Sequence, residues 1–284
     1  MSGVSLHSTG WRRKMSENVL VSVHNVTKSF SLAGTFKKKR HTAVNNVSLD
    51  ILKGETLALV GESGCGKSTM ARLIMRLTEP DSGEVIFDGT DITSLSGRAL
   101  RPFRKRMQMV FQDPASSLDP RMKIRDIIAE PMEIWKICPD RRERAERIME
   151  LLDMVELKES ALDKYPDQLS GGQRQRVGIA RAISIDPELI ICDESVSALD
   201  VSVQAQILNL LKRLKKKLGL SCLFISHDLS VVDFIADRVC VMLNGEICET
   251  AEPDILFTKP QHEYTRYLIS SIPEIKAFIN GGTK

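Results

Sequence analysis

Short apolar segments separated by polar turns make up the first ninety residues of the chain. Residues 19–26 (VLVSVHNV) alternate apolar and polar positions, which predicts a strand with one buried face. Three further strands are predicted in the same region, at residues 47–52, 55–61 and 84–89. A helix is predicted to begin after Gly66, because apolar residues recur there at helical spacing, at Met70, Leu73, Ile74 and Leu77.

The middle of the chain changes to a helical pattern. Residues 106–114 (RMQMVFQDP) predict a strand that ends in a polar turn at Pro114. Residues 121–185 are predicted to be mainly helical, and the segment 141–155 is strongly amphipathic, with one apolar side formed by Ile148, Leu151, Leu152 and Val155.

Continuous apolar runs return near the end of the chain. Residues 189–193 (LIICD) and 222–227 (CLFISH) are separated by a helical segment at 203–219. Apolar runs of this length, alternating with helices, predict buried parallel strands. We therefore expect an α/β fold with a helical insertion between residues 113 and 170.

Composition narrows the classes of partner. The chain has 284 residues, a net charge of +3 and 5% aromatic residues, which gives no support for nucleic acid binding. No apolar run approaches the ~18 residues of a membrane span, and the N-terminus lacks the apolar core of a signal peptide, so we expect a cytoplasmic location. The six cysteines include no CxxC pair, so neither a zinc site nor a disulfide framework is expected.

A glycine-rich loop follows one predicted strand and precedes a predicted helix. Residues 61–69 (GESGCGKST) fit the pattern G-x-x-x-x-G-K-[ST] in the context that favours a phosphate-binding loop over a chance glycine turn. Its backbone N–H groups and the helix N-terminus would face the phosphates of ATP. Lys67 would reach the β- and γ-phosphates, and the Ser68 hydroxyl would ligate Mg²⁺.

Cys65 lies inside this loop, near a helix N-terminus. That position predicts a lowered thiol pKa, and hence inactivation by alkylation from which ATP protects. The alternative is that Cys65 is only a tolerated spacer.

Polar residues stand at the ends of three of the predicted strands. Asp193 is predicted to hold Mg²⁺, and Glu194 to act as the general base for water attack. His227 follows another apolar strand and would lie near the γ-phosphate, although a lone histidine is more often structural. Gln112 would contact Mg²⁺ or the attacking water, or else cap the turn before Pro114.

A second glycine-rich segment, residues 165–176 (YPDQLSGGQRQR), stands just before a predicted helix. A serine and two glycines at a helix start form a further anion site, which is surplus to one triphosphate site.

These motifs, taken in order, resemble ATP-binding-cassette (ABC) ATPase domains over residues 19–254. The matching segments are GESGCGKST, VFQDP, LSGGQ, LIICDE, SALD and FISHD. The resemblance implies a P-loop NTPase (RecA-like) core with an antiparallel β subdomain and an α-helical subdomain, about 113–175, that carries the LSGGQ signature. It also implies binding of MgATP and hydrolysis of ATP to ADP and phosphate.

The resemblance assigns further roles to individual residues. ATP would be bound by Phe30, which would stack on adenine, and by Gly61, Glu62, Ser63, Gly64, Cys65, Gly66, Lys67, Ser68 and Thr69. In a head-to-tail dimer, a second cassette's ATP would be contacted in trans by Ser170, Gly171, Gly172, Gln173 and Asp200. The implied metal-binding residues are Ser68, Gln112 and Asp193, and the implied catalytic residues are Glu194, His227, Gln112 and Lys67. Ser195 departs from the family, which usually has proline there.

The C-terminal segment resembles one branch of the family. Residues 258–275 (TKPQHEYTRYLISSIPEI) are similar to the extension of oligopeptide, dipeptide and nickel importer ATPases. The positions that match are Pro260, His262, Tyr264, Thr265, Leu268 and Pro273, while Glu263 replaces a proline. No cysteine follows Cys248, so no iron–sulfur cluster is expected. The simpler interpretation of this segment is a helix packed on the core.

This likeness implies a peptide importer ATPase at the cytoplasmic face of the membrane. Its expected partners are a second, different ATPase subunit, two membrane permease subunits and, indirectly, an extracytoplasmic binding protein. The alternatives are a nickel or metallophore importer ATPase and a soluble repair or regulatory ATPase. We expect a flexible tail at 1–18, the ATPase domain at 19–254 and the extension at 255–284. The basic loop 37–40 is expected to be a solvated hairpin or a lipid-headgroup contact.

Overall fold

The computed structural model of the chain describes residues 18–31, 40–197 and 199–271. The predicted N-terminal tail up to residue 17, residues 37–39 of the basic loop and Pro273 of the C-terminal motif lie outside the described residues.

Two β-sheets form the centre of the fold. One is antiparallel, with strand order β2-β1-β4-β5, and the other has six strands in the order β10-β9-β3-β8-β7-β6. In the larger sheet, β9, β3, β8, β7 and β6 are parallel, and β10 pairs antiparallel with β9. The strands are β1 Val19–Ser31, β2 Arg40–Leu52, β3 Thr56–Val60, β4 Ser82–Phe87, β5 Thr90–Asp91, β6 Met107–Val110, β7 Leu189–Asp193, β8 Ser221–Ser226, β9 Arg238–Leu243 and β10 Glu246–Ala251.

Ten α-helices are found in the described part of the chain. They are α1 Lys67–Ile74, α2 Gly97–Arg106, α3 Pro114–Ser117, α4 Ile124–Ile134, α5 Arg141–Met154, α6 Gly171–Ile183, α7 Val201–Leu218, α8 Leu229–Ile235, α9 Pro253–Thr258 and α10 Glu263–Ser270. Two 3₁₀ turns, Glu159–Ala161 and Pro166–Gln168, precede α6.

The larger sheet is covered on both faces, which explains why its central strands are continuous apolar runs. One face packs on the antiparallel sheet and α1, as Leu57 and Leu223 share a core with Ile51 and Leu73. On the other face, β7 and β8 share a core with the helices of the insertion, for example Leu151 and Val177.

A third apolar cluster joins the end of the described chain to the sheet. Val60 of β3 and Val241 of β9 pack with Val232 of α8, Leu256 of α9 and Ile269 of α10. Within the segment that begins at residue 258, helix α10 packs on the core through Ile269, in line with the simpler sequence interpretation, and α9 precedes it.

The α/β architecture with a helical insertion agrees with the sequence-based expectation, but several elements differ from it. The strand predicted at 106–114 covers only Met107–Val110, because Arg106 still belongs to the helix α2. The helical stretch expected at 121–185 is interrupted between α4 and α5, where Lys136 and Cys138 have positive φ angles.

Helix α2, the short helix α8 and the hairpin β9–β10 were not predicted. Only Leu100 of α2 is buried, so this helix has no apolar periodicity to detect.

Among the described residues, none of the helices combines the length and the apolar character that a membrane span requires.

Candidate nucleotide site

The glycine-rich loop connects the C-terminal end of β3 to the first residue of α1. Gly61, Gly64 and Gly66 have φ angles of 151°, 81° and 113°, in the region that favours glycine. Close packing adds a second requirement at two of them. At Gly61, an added Cβ atom would lie 2.2 Å from the carbonyl oxygen of Met242. At Gly66, it would lie 2.1 Å from the carbonyl oxygen of Ala43. The loop therefore presses against the neighbouring backbone in a form that other residues cannot adopt.

Lys67 is enclosed by this loop. Its side chain is buried, and Nζ donates hydrogen bonds to the carbonyl oxygens of Gly61 at 2.7 Å and Glu62 at 2.8 Å. Burial of an ammonium group is costly unless its donors are satisfied, and here two loop carbonyls and, at 3.8 Å, the Cys65 Sγ accept from Nζ. The loop therefore presents a positive charge that is pre-positioned for an anion.

Asp193 lies at the end of β7, beside the start of α1. The Ser68 hydroxyl donates a 2.9 Å hydrogen bond to its Oδ1. Burial raises the pKa of Asp193 above its ordinary value, and the bond from Ser68 only partly opposes this. A buried carboxylate next to a hydroxyl is thus available to a cation.

Glu194 is held by two of the other predicted residues. Gln112 Nε2 donates to its Oε2 at 2.9 Å, and His227 Nδ1 lies 3.5 Å from its Oε1. Glu194 has a φ of 46° and donates its backbone N–H to the Ile225 carbonyl at 3.0 Å, so the turn after β7 is tied to β8. A left-handed glutamate at such a point is a strained conformation of the kind that clusters at functional sites.

A cleft of about 330 Å³ opens over the loop and Glu194. Its wall includes Phe30, whose side chain is 41% exposed, together with Ser63, Gly64, Gly66, Lys67, Ser68, Thr69, Gln112 and Glu194. The sequence interpretation missed two lining residues, His41 and Ala43. His41 is the cross-strand partner of Phe30, a relationship set by the β1–β2 register that no local pattern reveals.

The LSGGQ segment does not line this cleft. Ser170 is the N-cap of α6: its hydroxyl accepts from the Gln173 N–H at 3.3 Å, and Gln173 Oε1 accepts from the Ser170 N–H at 3.0 Å. Asp200 similarly caps α7 by accepting from the Val203 N–H at 3.0 Å. Both are exposed N-caps, and Gly171 is also exposed. Within one chain, the predicted trans residues are therefore apart from the predicted cis residues.

The turn after Glu194 has no proline to stiffen it. Ser195 is buried there, and its hydroxyl has no hydrogen-bond partner among the described residues. The Ser197 hydroxyl and N–H instead both donate to the Glu194 carbonyl, at 2.9 Å and 3.1 Å, which closes the turn.

The predicted lowering of the pKa of the Cys65 thiol was wrong, because the structure raises this pKa. The thiol is 7% exposed, and burial raises its pKa above the ordinary value although Lys67 lies close enough to oppose the shift. Desolvation of the thiolate outweighs the positive end of the helix, so the thiol is not activated.

A strand, a glycine loop with a buried lysine, and an acidic pair on a neighbouring parallel strand together define a P-loop nucleoside triphosphatase. Residues 44–197 match the family described as ABC transporter. The chain belongs to the ABC transporter family and is an ATP-binding, ATP-hydrolysing cassette.

Sequence similarity to named proteins extends over most of the chain. It is 50% identical over 260 residues to the oligopeptide transport ATP-binding protein OppF of Bacillus subtilis, covering 91% of this chain and 84% of that one. It is 52% identical over 259 residues to a probable peptide ABC transporter ATP-binding protein of Sinorhizobium fredii, covering 90% of this chain and 73% of that one.

Solved structures show the same fold. The cassette MJ0796, described as a dimeric post-hydrolysis state bound to ADP and Pi, matches with a TM-score of 0.74 and 34% identity, covering 82% of this chain and 99% of that one. The cassette cbiO1 of Clostridium perfringens matches with a TM-score of 0.76 and 27% identity, covering 93% of this chain and 100% of that one.

Proposed function

We propose that the chain is the ATPase subunit of a transporter that imports oligopeptides or dipeptides through separate membrane subunits. The observation that carries this proposal is identity of about one half, over some 90% of the chain, to proteins named for oligopeptide transport or peptide import. The aligned length exceeds the residues 44–197 that match the ABC transporter family, so the likeness is not limited to the ATPase motifs.

Mg²⁺ fits the residues at the end of β7. Mg²⁺ prefers oxygen ligands and is commonly held by one or two protein groups plus nucleotide phosphates. Ser68 Oγ and Asp193 Oδ1 lie 2.9 Å apart, and the buried carboxylate has a raised pKa that a bound cation would oppose. Ser68 and Asp193 would hold the ion, with the Gln112 amide oxygen as a third candidate. When bound, Mg²⁺ neutralises charge on the phosphate oxygens.

The other residues of the site are proposed to bind ATP and to activate the attacking water. Lys67 would bind the β- and γ-phosphates, and Phe30 offers an exposed ring for adenine. Glu194 accepts a proton from the attacking water, and His227 and Gln112 orient the Glu194 carboxylate. Thr69, Ser63 and the loop N–H groups complete the phosphate cradle.

The active enzyme is proposed to be a head-to-tail dimer. Ser170, Gly171, Gly172 and Gln173 form an exposed helix N-terminus away from their own cleft, and Asp200 caps an adjacent helix. An exposed anion site of this kind suits the γ-phosphate held by a second cassette. The similar solved cassette MJ0796 is described as dimeric, which supports a dimer.

The further partners follow from peptide import. The second cassette is proposed to be a different chain, and two membrane permease subunits would be contacted through the region after Gln112. An extracytoplasmic binding protein would supply the peptide, and no nucleic acid is involved. The chain would thus lie peripherally on the cytoplasmic face of the membrane.

Reconstitution with candidate membrane subunits of the same organism tests the proposal. The full complex in proteoliposomes, with its binding protein, should take up labelled di- to pentapeptides and hydrolyse ATP faster when peptide is present. The Glu194→Gln complex, assembled identically, should take up none. Stimulation by nickel chelates and not by peptides would overturn the peptide assignment, and failure to co-purify with any membrane protein would overturn import itself.

A further inference from the structure

The C-terminal helix α10 reaches the phosphate loop directly. The hydroxyl of Tyr264, in the first turn of α10, accepts a 3.0 Å hydrogen bond from the backbone N–H of Glu62. The two residues are 202 positions apart in the sequence. Residues of the extension are thus in contact with the loop that lines the nucleotide cleft.

The Gly61–Glu62 peptide unit connects Tyr264 to Lys67: its N–H donates to the Tyr264 hydroxyl, and its carbonyl oxygen, that of Gly61, accepts from Lys67 Nζ at 2.7 Å. The Glu62 carbonyl oxygen accepts from Lys67 Nζ at 2.8 Å and from the Cys65 N–H at 3.3 Å. A rotation of the Gly61–Glu62 peptide would therefore move an oxygen that holds Lys67. Tyr264 fixes that peptide from the N–H side.

The Tyr264 hydroxyl is itself firmly placed. The carboxylate of Glu249, on β10, accepts from the backbone N–H groups of Gln261 at 2.8 Å and His262 at 2.9 Å. His262 Nδ1 then caps α10 by accepting from the Tyr264 N–H at 3.1 Å. The Tyr264 ring stacks on that of Tyr267, with centroids 6.4 Å apart. The start of α10 is thus tied to β10 by hydrogen bonds.

The hairpin that holds α10 also supports the other side of the phosphate loop. The Gly245 N–H, at the β9–β10 turn, donates to the Cys65 carbonyl at 2.9 Å. Gly61 packs so closely on the Met242 backbone that a Cβ would lie 2.2 Å from its oxygen. The loop is therefore held between the β9–β10 hairpin and α10, which are fastened to each other.

We propose that Tyr264 is a positioning residue for nucleotide binding: its hydroxyl holds the Gly61–Glu62 peptide and, through the Gly61 carbonyl, keeps Lys67 in place for the phosphates of ATP. The inference goes beyond the proposed transport function and rests only on the nucleotide-binding role of the loop. The C-terminal extension would then influence ATP binding, because a partner that shifts α10 would also shift Lys67.

The test compares two tyrosines of the same helix in the full chain. Tyr264→Phe removes only the hydroxyl, and Tyr267→Phe is the matched control because Tyr267 is a 59% exposed tyrosine of the same helix whose ring stacks on that of Tyr264. We expect Tyr264→Phe to weaken MgATP binding, measured by calorimetry, by roughly 3- to 10-fold, the range for one lost hydrogen bond. The KM for ATP should rise by the same factor, and kcat should stay within about 2-fold. The reason is that the loop binds ATP equally in the ground state and in the transition state.

Thermal unfolding without nucleotide separates positioning from a general loss of stability. The nucleotide-free midpoint of Tyr264→Phe should fall by no more than the roughly 2–4 °C that one lost hydrogen bond costs. The increase in midpoint on adding ATP should be smaller than in Tyr267→Phe. Unchanged ATP affinity in Tyr264→Phe would overturn the proposal. So would a fall in kcat without a rise in KM, or a lowered nucleotide-free midpoint with normal affinity. Because the readout is ATP binding by the purified chain, it is independent of what the transporter carries.

Discussion

The side chains of Gln112 and Glu194 are joined by a 2.9 Å hydrogen bond across the carboxyl ends of two neighbouring parallel strands. Gln112 follows β6 and Glu194 follows β7, so the sheet itself sets their distance. His227, which follows β8, lies 3.5 Å from the other carboxylate oxygen. Both oxygens of the proposed base are therefore aligned by residues from adjacent strands, and an attacking water would have to share or replace the contact with Gln112.

Glu194→Gln should separate nucleotide binding from turnover. The amide keeps the size and the acceptor oxygen of the carboxylate but cannot take a proton, so ATP should bind with wild-type affinity. Phosphate release should fall by about 10²- to 10⁴-fold, the usual contribution of a general base. Size-exclusion chromatography with MgATP should show a trapped dimer.

Glu84→Gln, at an exposed position on β4, is the control for loss of a carboxylate. It should retain wild-type turnover. If Glu194→Gln hydrolysed ATP at the wild-type rate, the base would have to be another group.

Ser170→Arg should damage hydrolysis without affecting ATP binding by its own chain. Ser170 does not line the cleft of its own chain, so the Kd for ATP should stay within about 2-fold. The arginine would obstruct the exposed N-terminus of α6 where the partner's γ-phosphate is proposed to bind. Turnover by a dimer that carries the change should fall at least ~10-fold, measured by steady-state phosphate release.

Ser96→Arg places the same side chain at the start of another helix, where Ser96 makes no side-chain cap, and should leave turnover unchanged. Ser170→Ala tests the cap itself, whose loss costs about 1 kcal/mol of stability. Weakened ATP binding in Ser170→Arg monomers would contradict a role in trans.

The sequence was most informative where function depends on short segments at strand ends. Gly61 to Ser68, Asp193 and His227 could be placed because apolar runs reveal buried parallel strands and because parallel strands align their carboxyl ends. The second glycine loop could be interpreted through the family resemblance, since its own residues show only a helix cap.

The support of the loop could not be predicted. The bond between Tyr264 and Glu62 joins residues 202 positions apart, and it depends on how α10 docks on β10. The position of Cys65 suggested activation by a helix, but only the packed structure shows that burial has the larger effect on its pKa.

Cys65 should be alkylated slowly at neutral pH. Because burial raises the pKa of the thiol, the reactive thiolate is scarce, and the rate should increase about tenfold per pH unit below that pKa. Modification by N-ethylmaleimide, followed on the peptide containing Cys65 by mass spectrometry, should abolish ATP binding.

MgATP should slow this modification because Cys65 lies in the phosphate loop. Cys65→Ala should bind ATP and resist inactivation, which would exclude an effect of the partly exposed Cys138 or Cys248. Equal rates with and without nucleotide would show that the nucleotide does not cover the loop.

Glu249→Gln should loosen the extension in a pH-dependent way. Burial of Glu249 opposes ionisation, but hydrogen bonds from the backbone N–H groups of Gln261 and His262 help to outweigh it, and the pKa of the carboxyl is lowered. A lowered pKa in the folded state stabilises the protein above the unfolded pKa of about 4.5, and this stabilisation is lost as pH falls through the lower, folded value. The variant should therefore be less stable by about 1 kcal/mol at pH 7, or roughly 2–4 °C in thermal midpoint, and should converge with the wild type under acid conditions.

Glu252→Gln is the control, because Glu252 is an exposed N-cap residue whose carboxylate makes no side-chain cap, and it should shift the midpoint little at any pH. A difference from wild type that persisted unchanged into acid would mean that Glu249 acts through packing and not through its charge.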